Sequence, residues 1–188
     1  MTGSDTTLPS LVCLSGVSGS GKDTLAAMLT DHHGFVRVAI ADPLKRWVGD
    51  IFGLEHAQLW GDERDVTIAR LGMSPRALYQ QFGAACVELD AEVLLRPWER
   101  EVTSLLAGGE RVVCTDIRTP RELERAKTLG ALTILITREG AGAPGDAAEH
   151  PTERWAGERE GSFDLTHRND AAIEASFEAL VEAMRRAS

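Results

Sequence analysis

The sequence predicts an α/β fold, in which a mostly parallel sheet lies between two layers of helices. Two observations support this class. Residues 11–15 and 132–137 are almost continuously apolar, as in strands that are buried on both faces of a sheet. Stretches of helical length separate such runs, and strands that alternate with helices favour a parallel sheet. The chain has 188 residues, which is enough for one domain with a substantial core.

Five strands are expected, each from a short and mainly apolar run. They cover residues 11–15, 35–40, 111–116, 132–137 and 163–166. A glycine-rich loop follows the first strand, and Gly108-Gly109 leads into the third.

The helices are expected between these strands, and glycine or proline marks several of their ends. We expect helices at residues 23–33, from Asp42-Pro43 onward, at 75–80, 88–106, 120–129 and 171–186. Pro97 should break or kink the fourth of these, because proline removes a hydrogen bond inside a helix. Residues 53–74 are polar and irregular, and no structure is assigned to them.

Composition limits the classes of partner. The 20 basic and 29 acidic residues give a net charge of -9, which repels a nucleic-acid backbone, so duplex DNA or RNA is not expected as the main ligand. A nucleotide at one local basic site is compatible with that charge. The first residues lack the pattern of a signal peptide, and no apolar stretch approaches the roughly 20 residues that cross a bilayer. We therefore expect a soluble, cytoplasmic protein that does not enter membranes.

The strongest motif is the glycine-rich loop after the first strand. Residues 16–22 read GVSGSGK and match the G-x4-G-K pattern of a phosphate-binding P-loop. Glycines let successive N–H groups face one phosphate chain, the next helix adds its positive end, and the lysine reaches the outer phosphates. The alternative is a glycine-rich turn that matches by accident. The motif, with a strand before it and a helix after it, predicts the three-layer sandwich of P-loop NTPases.

The predicted nucleotide site includes two residues after the lysine that are candidate Mg²⁺ ligands. Its members are Gly16, Gly19, Ser20, Gly21, Lys22, Asp23 and Thr24. The position after the lysine is normally Ser or Thr, and here it is Asp23. Asp23 and Thr24 offer the oxygen ligands that Mg²⁺ prefers. Asp23 could instead only complement the helix N-terminus, and the sequence leaves both readings open.

Several further motifs, in the same order, resemble those of the bacteriophage deoxynucleoside monophosphate kinases. Animal-type phosphomevalonate kinases share a similar loop. The motifs are Ser-Gly-Lys-Asp-Thr at 20–24, Ala-Asp-Pro-Leu-Lys at 41–45, the R-x3-Q-x2-G pattern at 76–83, Asp-Ile-Arg at 116–118 with Glu122, His-Pro-Thr-Glu at 150–153, and Arg-Asn-Asp at 168–170. Together they cover nearly the whole chain from Leu11 onward.

The resemblance implies a reaction in which ATP, with Mg²⁺, phosphorylates a small nucleoside monophosphate to the diphosphate. It implies that Lys22, Arg118 and Arg138 are catalytic. The acceptor would bind at Lys45, Arg76, Gln80, Gly83, Ala84, Trp98 and Asp116. We expect one kinase domain over residues 11–188, with a substrate-binding helical insertion around 53–106. Residues 1–10 are small and polar and are expected to form a loose tail. The charged residues 149–160 suggest a mobile flap or an exposed helix, and the flap is expected around 139–160. A homodimer is suggested only by this resemblance.

Several of these residues also have an ordinary structural explanation. Arg76 could be a solvated helix residue, Trp98 could fill the core, and Lys45 with Asp42 could only start a helix. Asp116 ends an apolar strand, where ligands bind in α/β proteins. His150 and Glu153 could be a surface capping pair.

The sequence departs from the family pattern inside the phosphate loop and after Gly83. Ser18 stands where a basic residue is common, and Ala84-Ala85 replaces a polar–acidic pair, which leaves the base preference open. Alternative acceptors are phosphomevalonate and a hydroxymethylpyrimidine within DNA. An alternative of another class is a module that senses ATP without transferring phosphate.

Overall fold

The computed structural model describes residues 8–142 and 160–187. In this part of the chain five strands form one sheet in which every neighbouring pair is parallel, and the spatial order is β2-β3-β1-β4-β5. The strands are β1 Leu11–Ser15, β2 Phe35–Val38, β3 Arg111–Cys114, β4 Leu132–Thr137 and β5 Leu165–Arg168. The predicted α/β class with a parallel sheet is confirmed.

Seven α-helices accompany the sheet among the described residues. They are α1 Lys22–His33, α2 Asp42–Phe52, α3 His56–Leu59, α4 Pro75–Leu89, α5 Leu95–Ala107, α6 Pro120–Thr128 and α7 Ile173–Ala187. Short 3₁₀ turns occur at Asp62–Asp65 and Glu160–Ser162.

The chain divides into two compact units. The sheet unit combines Met1–Ala39 with Val102–Ser188, and the helical unit is Ile40–Glu101. The expected single domain, with its insertion around 53–106, stays a prediction. Most of the expected flap, together with His150 and Glu153, lies outside the described residues.

The core of the sheet unit lies between one face of the sheet and helices α1 and α7. Every residue of β1 is buried, as the apolar run predicts for a central strand. The cluster contains Val12, Leu14, Leu25, Ala26, Leu29, Phe35, Val113, Ile134, Ile136, Phe177, Leu180, Val181 and Met184. Alternate residues of the same strands point to the opposite face, and helix α6 packs against β4 with Leu123 and Ala126 buried.

The helical unit has a separate core between α2, α3 and α4. Its buried members are Leu44, Val48, Leu54, Leu59, Leu78 and Tyr79. Ser74 caps α4, since its Oγ accepts a hydrogen bond from the N–H of Ala77 at 3.2 Å. Residues 53–74, to which no structure was assigned, contain α3, a 3₁₀ turn and an isolated bridge between Ile68 and Met73.

The structure corrects the helix boundaries around Pro97. One helix was expected over 88–106 with a break at Pro97, but α4 continues to Leu89 and α5 begins at Leu95. The break therefore lies before Pro97. Pro97 occupies the third position of α5, where backbone N–H groups have no intrahelical acceptor, so its missing N–H disturbs no helical hydrogen bond.

Strand ends differ from the prediction by two residues at most. β2 and β3 each stop two residues early, and β5 begins two residues late. Leu8, in the expected tail, packs partly buried against the sheet-unit core. None of the helices in the described part of the chain has the length and apolar character that crossing a membrane requires.

Candidate phosphate-binding site

The glycine-rich loop lies at the carboxyl edge of the sheet, directly after its central strand. β1 pairs with β3 on one side and with β4 on the other. Because all three strands are parallel, the segments after them emerge at the same edge. Asp116 follows β3 and Arg138 follows β4, so the topology places these two segments on either side of the loop. Ligands bind at this edge in open α/β sheets.

Two glycines of the loop lie against neighbouring atoms so closely that a side chain would collide. Gly16 has φ of 149°, and a Cβ there would lie 2.4 Å from the carbonyl oxygen of Ile136. Gly21 has φ of 88° and ends the loop in the left-handed region. A Cβ on Gly21 would lie 2.1 Å from Nδ2 of Asn169. Glycine is therefore required at both positions by space as well as by backbone conformation.

Lys22 is the first residue of α1, and only 6% of its surface is exposed. Its Nζ lies 3.6 Å from Oδ2 of Asp23, whose side chain is mainly exposed. The hydroxyl of Ser20 is buried and has no hydrogen-bond partner among the described residues. A buried polar group without a partner is costly, and a ligand oxygen or a water could satisfy it.

These features fit a bound triphosphate. The positive-φ glycines curve the backbone at the N-terminus of a 12-residue helix, where unpaired N–H groups and the helix dipole favour an anion. Lys22 adds a positive charge. Asp23 and Thr24 are exposed in the first turn of α1, and their oxygen atoms suit Mg²⁺.

The segment after β3 is fixed by buried hydrogen bonds. Oγ of Ser15 donates to the carbonyl oxygen of Ile117 at 2.7 Å, which joins the end of β1 to this segment. Sγ of Cys114 donates to Oδ1 of Asp116 at 3.2 Å. Asp116 and Arg118 are both partly buried here, so the two predicted site residues share one anchored turn.

Glu122 holds the same turn from α6. Its Oε2 accepts hydrogen bonds from the backbone N–H groups of Arg118 at 2.6 Å and Thr119 at 2.9 Å. Burial raises the pKa of Glu122 to about 7, and the nearby charge of Asp116 also raises it, although the hydrogen bonds from Arg118 and Thr119 lower it. Glu122 thus supports the position of Arg118.

The segment after β4 covers the other side of the loop. Arg138 is exposed, and the N–H of Gly142 donates to the carbonyl oxygen of Ser18 at 3.0 Å. A cleft of about 300 Å³ lies between the phosphate loop and the segment after β4. It is lined by Ser18, Gly19, Arg138, Glu139, Gly140, Ala141 and Gly142. The structure therefore brings Arg138 next to the phosphate loop.

Two residues that the sequence analysis did not place in the site contact these segments. Nδ2 of Asn169 donates to the carbonyl oxygen of Ser20 at 2.8 Å, and Oδ1 of Asp170 accepts from the N–H of Glu139 at 2.7 Å. The only signal in the sequence is the Arg-Asn-Asp motif at 168–170, which gives no indication of what these side chains contact.

In the helical unit, Arg76 is held by a carboxylate. Its Nε lies 2.6 Å from Oδ1 of Asp65, and its NH2 lies 3.2 Å from Oδ2. The hydrogen bond from Arg76 lowers the pKa of Asp65. The side chain of Arg76 is still 39% exposed, so it is oriented by Asp65 but reachable from solvent.

Lys45 lies among aromatic rings of the helical unit. Its Nζ is 5.4 Å from the ring centre of Tyr79 and 5.8 Å from that of Trp60, distances at which a cation is attracted to a ring. The indole N–H of Trp60 donates to Oδ1 of Asp42 at 2.8 Å. Asp42 and Lys45 therefore have structural partners in addition to any ligand.

The remaining predicted acceptor residues of this unit differ in exposure. Gln80 and Ala84 are exposed, whereas Gly83 is buried, and a Cβ on Gly83 would lie 2.7 Å from Cδ2 of Leu44. Helical spacing places Arg76, Gln80 and Gly83 on one face of α4. Trp98 is completely buried, and its indole N–H has no partner among the described residues. Acceptor binding by all of these residues stays a prediction.

No protein-family model matches the chain. Over 195 residues the chain is 28% identical to a protein of Acanthamoeba polyphaga mimivirus named "Putative deoxynucleotide monophosphate kinase", and the match covers 95% of this chain and 97% of that protein. The crystal structure of TT1252 from Thermus thermophilus is similar with a TM-score of 0.48 and 20% identity, over 97% of this chain and 100% of that one. At this TM-score the structural likeness supports no conclusion. The viral relative supports the expected resemblance to deoxynucleoside monophosphate kinases. A particular resemblance to the bacteriophage members of that family stays a prediction.

Proposed function

We propose that this protein is an ATP-dependent kinase that transfers the γ-phosphoryl group of ATP to a deoxynucleoside monophosphate. The phosphate loop carries the proposal, because its crowded glycines and the buried Lys22 form an anion site at the N-terminus of α1. The name of the viral relative supports a deoxynucleotide as acceptor.

Phosphoryl transfer depends mainly on positioning and on positive charge around the transferred group. In this proposal Lys22 and the loop N–H groups bind the phosphates of ATP. Asp23 and Thr24 would hold Mg²⁺, which when bound neutralises phosphate charge. Arg118 and Arg138 would add positive charge from the two segments beside the loop.

In the helical unit, the acceptor nucleotide is assigned to one face of α4. Arg76 is the proposed ligand of the acceptor's phosphate, since a guanidinium group can donate two parallel hydrogen bonds to phosphate oxygens. Asp65 orients the guanidinium group through its two hydrogen bonds. Gln80 is an exposed amide one turn further along the helix and could bond to the base or sugar.

The direct test is ADP release from ATP and Mg²⁺ with each common deoxy- and ribonucleoside monophosphate. Phosphomevalonate and single-stranded DNA containing hydroxymethylpyrimidine serve as alternative acceptors. We expect deoxynucleoside monophosphates to stimulate ADP release. If only another acceptor stimulates ADP release, the proposed phosphotransferase activity stands and the proposed acceptor is wrong. ATP binding without stimulation by any acceptor would contradict the kinase and favour an ATP-sensing module.

Lys22→Ala should lower kcat at least about 100-fold, a loss typical when one group that stabilises transition-state charge is removed. Lys127→Ala is the matched control, because Lys127 donates to the carbonyl oxygen of Ser162 and lies outside the proposed site. The control should keep its activity. Wild-type activity in a folded Lys22→Ala protein would refute the assignment of the loop.

A further inference from the structure

Asn169 joins the end of the sheet to the phosphate loop. It follows β5 and is 2% exposed. Its backbone N–H donates to the carbonyl oxygen of Thr137 at 2.8 Å, so the residue is anchored at the end of β4. From there its side chain donates to the carbonyl oxygen of Ser20 at 2.8 Å. Both hydrogen bonds connect elements that are remote in sequence.

The side chain of Asn169 occupies space that only a glycine at position 21 leaves open. A Cβ on Gly21 would lie 2.1 Å from Nδ2 of Asn169. Substitution of Gly21 would therefore displace the amide as well as strain the backbone. The loop and Asn169 fit together as one arrangement, in which the amide lies against the backbone of the loop.

The hydrogen bond fixes the orientation of a peptide group. The carbonyl group of Ser20 and the N–H of Gly21 belong to one planar, trans peptide unit, so they point in opposite directions. When the oxygen is held toward Asn169, the N–H is held away from it. Free rotation of this peptide group would lose that direction, and the loop would lose a donor suited to a phosphate oxygen.

The next residue holds the segment on the other side of the cleft. Oδ1 of Asp170 accepts from the N–H of Glu139 at 2.7 Å, and Arg168 also pairs with Asp170. Glu139 follows Arg138 directly. Two adjacent residues thus contact the phosphate loop and the Arg138 segment, and these two segments also meet through the hydrogen bond from Gly142 to Ser18.

We propose that Asn169 is a positioning residue that fixes the Ser20–Gly21 peptide group and thereby sets the affinity of the loop for the triphosphate of ATP. Asp170 holds the Arg138 segment through the N–H of Glu139. The part that concerns ATP rests on the proposed function. The part that concerns the loop rests only on the contacts of Asn169 and Gly21.

The affinity test compares Asn169→Ala and Asn169→Asp with the wild type by calorimetric titration of ATP. Asn169→Asp keeps the shape and replaces the donor by an oxygen. Both variants should raise the Kd for ATP about fivefold, which is the fold-change expected for one hydrogen bond of average strength. In the acceptor assay the KM for ATP should rise in parallel, and the KM for the acceptor should stay within twofold.

Ser176→Ala is the control for a purely structural loss. Oγ of Ser176 and Nε2 of His167 form a buried hydrogen bond of 2.9 Å between β5 and α7, and neither residue belongs to the loop. This variant should be destabilised but should keep the Kd for ATP. If Asn169→Ala melts like Ser176→Ala and also keeps its Kd for ATP, the proposal is overturned. Asn169→Ser replaces Asn169→Ala if the latter does not fold.

Hydrogen exchange tests the loop without any nucleotide. Amides of residues 16–24 should exchange about fivefold faster in the Asn169 variants than in the wild type, because loss of the hydrogen bond frees the peptide group. Ser176→Ala should leave them unchanged. Unchanged exchange in Asn169→Asp would overturn the positioning role. If the wild-type protein binds no ATP, the proposed function fails, whereas the exchange experiment still decides the role of Asn169.

Discussion

Gly16 and Gly109 both have positive φ, but only Gly16 is crowded. A Cβ on Gly16 would lie 2.4 Å from the backbone oxygen of Ile136, whereas nothing lies within 4 Å of a Cβ on Gly109. Backbone oxygens cannot rotate away as side chains can. Substitutions at these two glycines therefore separate the free-energy cost of a positive φ from the free-energy cost of steric overlap.

Gly16→Ala should lower the free energy of unfolding by about 3 kcal/mol and abolish ATP binding, since steric overlap adds to the backbone penalty. Gly109→Ala should lose only about 1–2 kcal/mol and keep ATP binding. Urea unfolding and ATP titration measure both quantities. An equal decrease in the free energy of unfolding of both variants would show that the structure around Gly16 shifts to accommodate the added Cβ.

At this scale, the sequence predicts residues whose partners are close along the chain. The spacing of Gly16, Gly21 and Lys22 is a local pattern, and the structure gives the curved loop that the pattern requires. Asn169 could not be placed, because its contact with Ser20 spans 149 positions. The pairing of Arg76 with Asp65 was missed for a related reason, since residues 53–74 have no periodicity that indicates their fold.

At the scale of elements, Glu122 connects helix α6 to the turn that carries Arg118. Its pKa is about 7 in the folded protein, compared with the usual 4.5. A carboxyl group with a raised pKa binds its proton more tightly in the folded state, so its contribution to stability is complete below pH 4.5 and is lost as the pH rises through 7. This loss amounts to about 3 kcal/mol at most.

Glu122→Gln should remove this pH dependence, because the amide does not titrate and still offers an oxygen to the N–H groups of Arg118 and Thr119. Urea unfolding at pH 5, 6, 7 and 8 gives the free energy of unfolding for both proteins. The wild type should lose stability over this range relative to the variant. Parallel curves would show that Glu122 titrates normally.

Pro97 in α5 tests the corrected helix boundary. Because Pro97 lies in the first turn, Pro97→Ala should change the free energy of unfolding by less than about 1 kcal/mol. Ser104→Pro, in the interior of the same helix on an exposed residue, should cost about 3 kcal/mol or more. A large effect of Pro97→Ala would instead indicate that α5 begins earlier.

Elements with buried, continuous apolar runs were predicted most accurately. β1 and β4 have the predicted bounds, because both lie inside the sheet and are almost continuously apolar. The extent of α4 was underestimated by nine residues, since its exposed apolar side chains Val87 and Leu89 obscure the polar face that marks a surface helix.

At the scale of the whole molecule, net charge limits the partners. The charge of -9 should prevent binding of duplex DNA at about 10 µM protein even in about 50 mM salt, where basic proteins bind without sequence preference. A mobility-shift assay with a 25-base-pair duplex measures this. A salt-sensitive shift would indicate a local basic groove and would strengthen the case for an acceptor base within DNA.

The contact between Asn169 and Ser20 also has a consequence for synthesis of the protein. Both strands that pair with β1 begin after residue 110, so they are synthesised well after β1. Asn169 follows Ser20 by 149 positions, which corresponds to roughly 7 to 30 s of translation at typical rates. Throughout that interval the nascent loop lacks its anchor, and for most of it the loop also lacks its neighbouring strands. We therefore expect nucleotide to stabilise only a nascent chain that has been synthesised beyond Asn169, so that ATP cannot assist earlier stages of folding.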